Sequence, residues 1–259
     1  MTELKNNKKY VKIIIWLLCI SAIAAFFFIK PIAQDLNYHN FSDKRTIFGI
    51  PNFWNVISNL PFLIVGILGL LQLKKLKIIH EMGLAYWILF FGVALVAFGS
   101  GYYHLNPNNH TLLWDRLPMT IAFMSLFAII IAEFVNEQRG SILLFPLLLI
   151  GLISVIYWQW TESKGNGDLR LYALVQFLPI IIIPLILISY KCCFNKISGY
   201  WWLLFAYVLA KFLEHYDNQI YQLTANNMSG HAIKHLAAAI GMYILLLAYN
   251  GRKQGEILP

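Results

Sequence analysis

The sequence predicts an all-α integral membrane protein, with a seven-transmembrane-helix core and one extra transmembrane helix at its amino end. Three observations carry that prediction. The 259 residues are 59% hydrophobic and 12% charged, against about 25% charged in soluble domains. Apolar runs recur at 11–29, 53–73, 84–103, 115–135, 141–160, 171–190, 200–222 and 231–249, most of them near the ~20 residues that a spanning helix needs. None alternates as a barrel strand would, and a helix satisfies its backbone within itself.

Taken in order, residues 1–30 read as an N-terminal transmembrane helix. Its basic start (Lys5, Lys8, Lys9, Lys12) and the small residues near Ala22–Ala25 also fit a signal peptide. The run is long for one, and no small-x-small cleavage site follows Phe28, so a retained signal anchor is expected. Residues 31–52 then form an extracytoplasmic loop, 53–250 the seven-helix core, and 251–259 a cytoplasmic tail. Connections are short, and no soluble domain is expected between spans.

Basic residues set the orientation. Lys74, Lys75, Lys77, Arg139, Lys191, Lys196, Arg252 and Lys253 join the amino-terminal lysines on one side when eight crossings alternate. That side is expected to be cytoplasmic, together with both termini. Lysines and arginines in the opposing loops have acidic neighbours. The net charge of +8 therefore reflects orientation rather than nucleic-acid binding. Cys19, Cys192 and Cys193 have no spacing suited to a disulfide or a thiolate metal site.

Polar residues gather in one layer of this topology, toward the extracytoplasmic leaflet. The second span opens with Asn55, Ser58 and Asn59; the third ends with Ser100 and His104; the fourth opens with Asp115. The seventh carries Lys211, Glu214, His215 and Asp217 in its outer half, and the eighth opens with His231 and His235. The inner half offers little to ionise. Ionisable groups at membrane depth mark function by default. Asn55 and Asn59 read as helix-packing hydrogen bonders, and Lys211 with Glu214 reads as an ion pair at i, i+3. Trp54, Trp114, Trp201 and Trp202 fit an interfacial belt, and His39, His80 and His110 receive no role. His231 and His235 project from one helix face. With His104 at the same depth they form a three-imidazole set that leaves a fourth zinc position for water. Asp115 is placed to orient that water or take its proton.

These residues carry a resemblance. Gly99-Ser100-Gly101-Tyr102-Tyr103-His104, Trp114-Asp115-Arg116-Leu117-Pro118-Met119 and Gly230-His231-Ala232-Ile233-Lys234-His235 resemble the alkaline ceramidase family. That family sits within a wider group of seven-helix membrane hydrolases that includes the progestin and adipoQ receptors. Asn52-Phe53-Trp54-Asn55-Val56-Ile57-Ser58-Asn59-Leu60 is similar to the start of the ceramidase core, and the resemblance spans roughly residues 40–249. It implies a zinc-dependent amide hydrolase acting on a ceramide-like N-acyl lipid. His104, His231 and His235 would hold zinc, Asp115 would serve as base, and Ser100 would bond the substrate carbonyl or its oxyanion. Glu214 and Asp217 lie outside the signature and are expected as partners of the ligand histidines. Eukaryotic members of the family also carry an acidic, calcium-binding amino-terminal segment ending in a glutamate just before the Phe-Trp-Asn. Here that position is Asn52, and Tyr38-His39-Asn40-Phe41-Ser42-Asp43 does not reproduce the acidic cluster, so calcium binding is not carried over.

Two other readings stand beside the enzyme. One is a receptor or sensor of the progestin and adipoQ type, holding zinc structurally. The other is a proton-coupled transporter built on Lys211, Glu214 and Asp217, which would need polar groups along a path to both sides.

Overall fold

A computed structural model describes residues 2–254 of the protein, with side chains from residue 9 onward. The side chains of Lys5 and Lys8, and residues 255–259 of the expected tail, lie outside the described residues. Among the described residues the chain forms ten α-helices and no strand beyond two isolated bridges. The helices are α1 (Thr2–Phe28), α2 (Phe53–Ile57), α3 (Leu60–Gln72), α4 (Gly83–Leu105), α5 (Asn109–Ile130), α6 (Glu137–Ser163), α7 (Arg170–Ser189), α8 (Ser198–His215), α9 (Asp217–Leu223) and α10 (Gly230–Gly251). Seven segments are long and apolar enough to cross a bilayer: Lys9–Phe28, Phe53–Lys75, His80–Leu105, Asn109–Val135, Glu137–Ser163, Arg170–Ser189 and Gly230–Gly251. The protein is thus an all-α, multi-pass membrane protein.

Three local departures from the apolar runs position the site. The run 53–73 is split, because Pro61 has no N–H to continue α2. It sits instead in the first turn of α3, where a missing donor costs nothing. The run 115–135 starts earlier as a helix: the Asn108 side chain accepts the His110 and Thr111 N–H groups, and the Thr111 hydroxyl accepts the Asn108 N–H. That capping box puts Asp115 nearly two turns inside α5. The run 200–222 breaks at Tyr216 (φ −97°, ψ 30°), so α8 ends on Lys211, Glu214 and His215 while α9 turns Asp217 toward the start of α10.

Helix α4 packs between α3 and α5, and α10 packs along α8. Both close approaches depend on a glycine beside a candidate site residue. A Cβ on Gly99 would fall 2.0 Å from the Trp114 carbonyl oxygen, and one on Gly230 would fall 2.2 Å from the Leu213 carbonyl oxygen. Such small-residue contacts let membrane helices meet backbone to backbone. Outside the bundle Phe98, Phe145, Ile181 and Phe205 are exposed, as lipid-facing side chains are. Helix α1 stands against α7, pinned by Arg170, which donates to the Phe26 carbonyl at 2.7 Å and lies over the Phe26 ring at 4.5 Å.

Candidate metal centre

Helices α4 and α10 bring three imidazoles together. Ring centroids are 4.9 Å apart for His104 and His231, 5.1 Å for His104 and His235, and 5.2 Å for His231 and His235. One nitrogen from each lies within 4.8 Å of the others, and all three residues are buried. His104 Nδ1 and His231 Nε2 have no hydrogen-bond partner. Leaving a buried polar atom unpaired costs about 1–3 kcal/mol, and a shared cation would relieve both. The donor set therefore fits a metal ion.

The third ring is held by a residue that the sequence placed nearby without a role. Ser58 Oγ lies 2.8 Å from His235 Nδ1 and donates its own proton to the Asn55 carbonyl at 3.3 Å. Its oxygen is then free to accept from Nδ1–H, which leaves the Nε2 lone pair available to a cation. Such partners fix the tautomer of metal-binding histidines.

The loop between α1 and α2 roofs this end of the bundle. The Phe41 ring is 4.4 Å from that of His231 and 4.8 Å from that of His104, and Asn52 Nδ2 donates to the His104 carbonyl at 2.9 Å. Asp217 Oδ1 accepts the His231 backbone N–H at 2.6 Å, and Oδ2 accepts the Ser42 N–H at 2.9 Å. Asp217 thus reaches His231 through the unsatisfied amide at a helix start, not through its ring. His39 is anchored by Tyr103 Oη at 2.9 Å and Asn109 Oδ1 at 2.8 Å. Asp43, buried in the roof, accepts Arg45 Nε at 2.9 Å and Nη2 at 2.7 Å, and Arg45 Nη2 also donates to the Asn227 carbonyl. A guanidinium already fills the position a cation would take. Among the described residues the one group of three or more His, Cys, Asp or Glu side chains close enough to share an ion is the histidine trio, so the roof gathers no carboxylate cluster of the kind that calcium takes.

Beneath the roof lies a cavity of about 440 Å³ lined at its head by Ser100, Asp115, Asn59 and His235. Asp115 interacts with the Ser100 side chain and, among the described residues, forms no ion pair. Asn59 Nδ2 donates to the Asn55 carbonyl at 2.7 Å, while its buried Oδ1 has no partner. Glu214 is paired with Lys211 at 2.7 Å and with Lys234, and accepts the Tyr38 hydroxyl at 3.4 Å. Burial, reinforced by the Glu214 charge, holds the Tyr38 hydroxyl well above its usual pKa, so it stays a donor. Among the described residues Glu214 forms no hydrogen bond or ion pair with the three histidines. Farther from the head, the wall is mostly apolar as far as Ile130, Ile183 and Met242, with Gln176, Tyr207 and Tyr200 as its polar members.

The opposite end of the bundle corrects the expectation of a bare inner half. The last turns of the fourth span widen into a π-helix, Ile131–Val135, which buries Glu133. Arg252 Nη1 and Nη2 donate to it at 2.8 and 2.6 Å. The Tyr200 hydroxyl donates at 2.8 Å, and the Tyr86 hydroxyl adds a further bond. Arg252 Nε donates to the Lys77 carbonyl at 2.6 Å, and its guanidinium lies over Phe194 at 3.9 Å and Tyr249 at 4.3 Å. Every polar group in this cluster has a partner, which suits a structural clasp rather than a transport path.

A family model described as Ceramidase matches residues 46–253 of the chain. No curated protein matches it.

Proposed function

The chain belongs to the ceramidase family, and on that premise we propose that it is a zinc-dependent amide hydrolase cleaving the N-acyl bond of a ceramide-like lipid. The observation that carries this reading is the convergence of three buried imidazoles, two with orphaned nitrogens, at the head of a largely apolar cavity that the Asp115 carboxylate also lines. His104, His231 and His235 would hold the metal, and three neutral imidazoles suit zinc with an open fourth position. Bound there, zinc supplies Lewis acidity toward water and toward a carbonyl oxygen.

The chain's own residues do the rest. Asp115 takes the proton of the attacking water and later delivers it to the departing nitrogen, so the amine leaves neutral. Ser100, beside it, donates to the carbonyl oxygen as charge develops there, a role worth roughly 3–4 kcal/mol where single donors have been removed from other enzymes. Asn59 Oδ1, the orphaned acceptor in the wall, receives the N–H of the scissile amide and fixes its plane. The roof of Phe41 and Asn52 keeps bulk water from the rings, and the apolar wall takes the acyl chain. With α8 counted as an eighth crossing beside the seven most apolar segments, the histidine end faces the extracytoplasmic leaflet and both termini face the cytoplasm, the orientation that the basic loops favour. Residues 53–250 carry the chemistry, and α1 is an added anchor.

The test is release of fatty acid from N-acyl lipids by purified protein, with Asp115→Asn as control. Turnover by the wild type, abolished in the variant with zinc retained, supports the reading. One zinc per chain and no turnover across a broad lipid panel would favour the receptor or sensor reading instead.

A further inference from the structure

The cavity head carries a charge that its own residues leave uncompensated. Arg116, the neighbour of Asp115 on α5, lines the same cavity and is only 6% exposed. Among the described residues it forms no ion pair. Nη2 donates to the neutral Gln34 Oε1 at 2.6 Å, the guanidinium also reaches the Tyr172 side chain, and buried Nη1 has no partner. The guanidinium is held over Trp158 at 4.1 Å and Tyr172 at 4.5 Å, which fixes its plane. Ring faces and an amide oxygen compensate a buried cation only in part.

The surrounding charges do not pair with it: the Glu162 carboxylate accepts from the Gln34 N–H, Trp158 Nε1 and Asn109 Nδ2 and, among the described residues, forms no ion pair with Arg116. Glu214 is shared by Lys211 and Lys234. Asp115 lies within electrostatic reach of Arg116 but engages Ser100 and is committed to the reacting water. Three cationic side chains thus face two carboxylates in one cavity, before any metal is added. A planar guanidinium with a free edge pairs best with an oxyanion.

We propose that Arg116, positioned by Gln34, is a headgroup subsite, and that the substrate is an N-acyl lipid whose head bears an anionic oxygen group such as phosphate, sulfonate or carboxylate. This rests on the hydrolase reading for the word substrate, but the subsite binds its ligand whether or not turnover follows. The fatty carboxylate released by hydrolysis has related chemistry, so the test separates the two sources.

Purified protein in neutral detergent is titrated with hexadecyl phosphate, hexadecanoate and hexadecanol, following the shift in melting temperature and the binding constant. Wild type is expected to bind hexadecyl phosphate about tenfold more tightly than hexadecanol, and also more tightly than hexadecanoate. Arg116→Gln should erase that preference while leaving hexadecanol binding unchanged, and Arg116→Lys should keep part of it. In turnover assays, Arg116→Gln should raise KM for an N-acyl lipid with a phosphate head by a larger factor than for its neutral-diol counterpart. Equal binding of hexadecyl phosphate and hexadecanol by wild type overturns the proposal, even if the variant does not fold. So does a variant that loses hexadecanoate binding selectively, which would assign Arg116 to the acyl product. Retained phosphate preference without hydrolysis of any N-acyl lipid would sink the hydrolase reading and leave the subsite standing.

Discussion

The two ends of the helix bundle both bury polar side chains and treat them in opposite ways. Residues paired across the ends sit on the same three helical segments: His104 and Tyr86, Asp115 and Glu133, His231 and Tyr249. About 27 Å of helix separates each pair at 1.5 Å per residue. At the tyrosine end Glu133 receives two bonds from Arg252 and one each from Tyr86 and Tyr200. At the histidine end, ring nitrogens of His104 and His231, Asn59 Oδ1 and Arg116 Nη1 have no partner at all. Buried polar groups are nearly always satisfied. A closed network needs nothing more, whereas a cluster of orphans is shaped for something it must bind. The difference separates a clasp from a site.

The sharpest way to break this comparison is to remove one group from each end. Asp115→Asn should lower kcat by roughly 10²–10⁴-fold, the span of general-base catalysis, with zinc content and melting temperature unchanged. Steady-state release of fatty acid, read beside thermal unfolding, checks it. A matching loss of stability would make Asp115 structural. Glu133→Ala should do the reverse. It strands Arg252 as an uncompensated buried charge and should cost about 3–5 kcal/mol of stability, measured by unfolding in mixed micelles, while the folded fraction keeps its turnover rate.

Smaller changes sharpen the picture. Ser58→Ala removes the hydrogen bond that fixes the His235 tautomer and should weaken zinc affinity about 10–100-fold. Competition with a chromogenic chelator reads that constant, and unchanged affinity would mean that the Ser58 contact only packs the helix. Smallest of all, a calcium-selective chelator should leave the melting temperature where it was, because Arg45 already neutralises Asp43. A marked drop would reveal a calcium site formed by other groups.

The two ends were also unequally legible in the sequence. Histidines and an aspartate in apolar runs stand out by their cost, and depth matching alone brought His104, Asp115, His231 and His235 to one layer. Lys211 with Glu214 read correctly as a pair, but Lys234, which the sequence places between two histidines, joined them unannounced. The clasp stayed hidden because Glu133 and Arg252 each sit where a span meets a loop and look like solvated end charges. Only the π-turn and the return of the tail join them. Phe41 and Asn52 belong to a loop without periodicity, so nothing local announces that they cover the rings. The break at Tyr216 was equally silent, since the apolar pattern runs through it. Helix starts set by polar caps, as at Asn108, fall outside any hydropathy window.

The central claim is that His104, His231 and His235 share one zinc ion. Elemental analysis of the purified protein, beside single alanine variants at each of the three positions, tests it most directly. The prediction is one zinc per wild-type chain, falling to near zero in every variant while the bundle remains folded around the Glu133–Arg252 clasp. Wild-type protein that takes up no metal when zinc is supplied, or variants that retain it in full, would contradict the account.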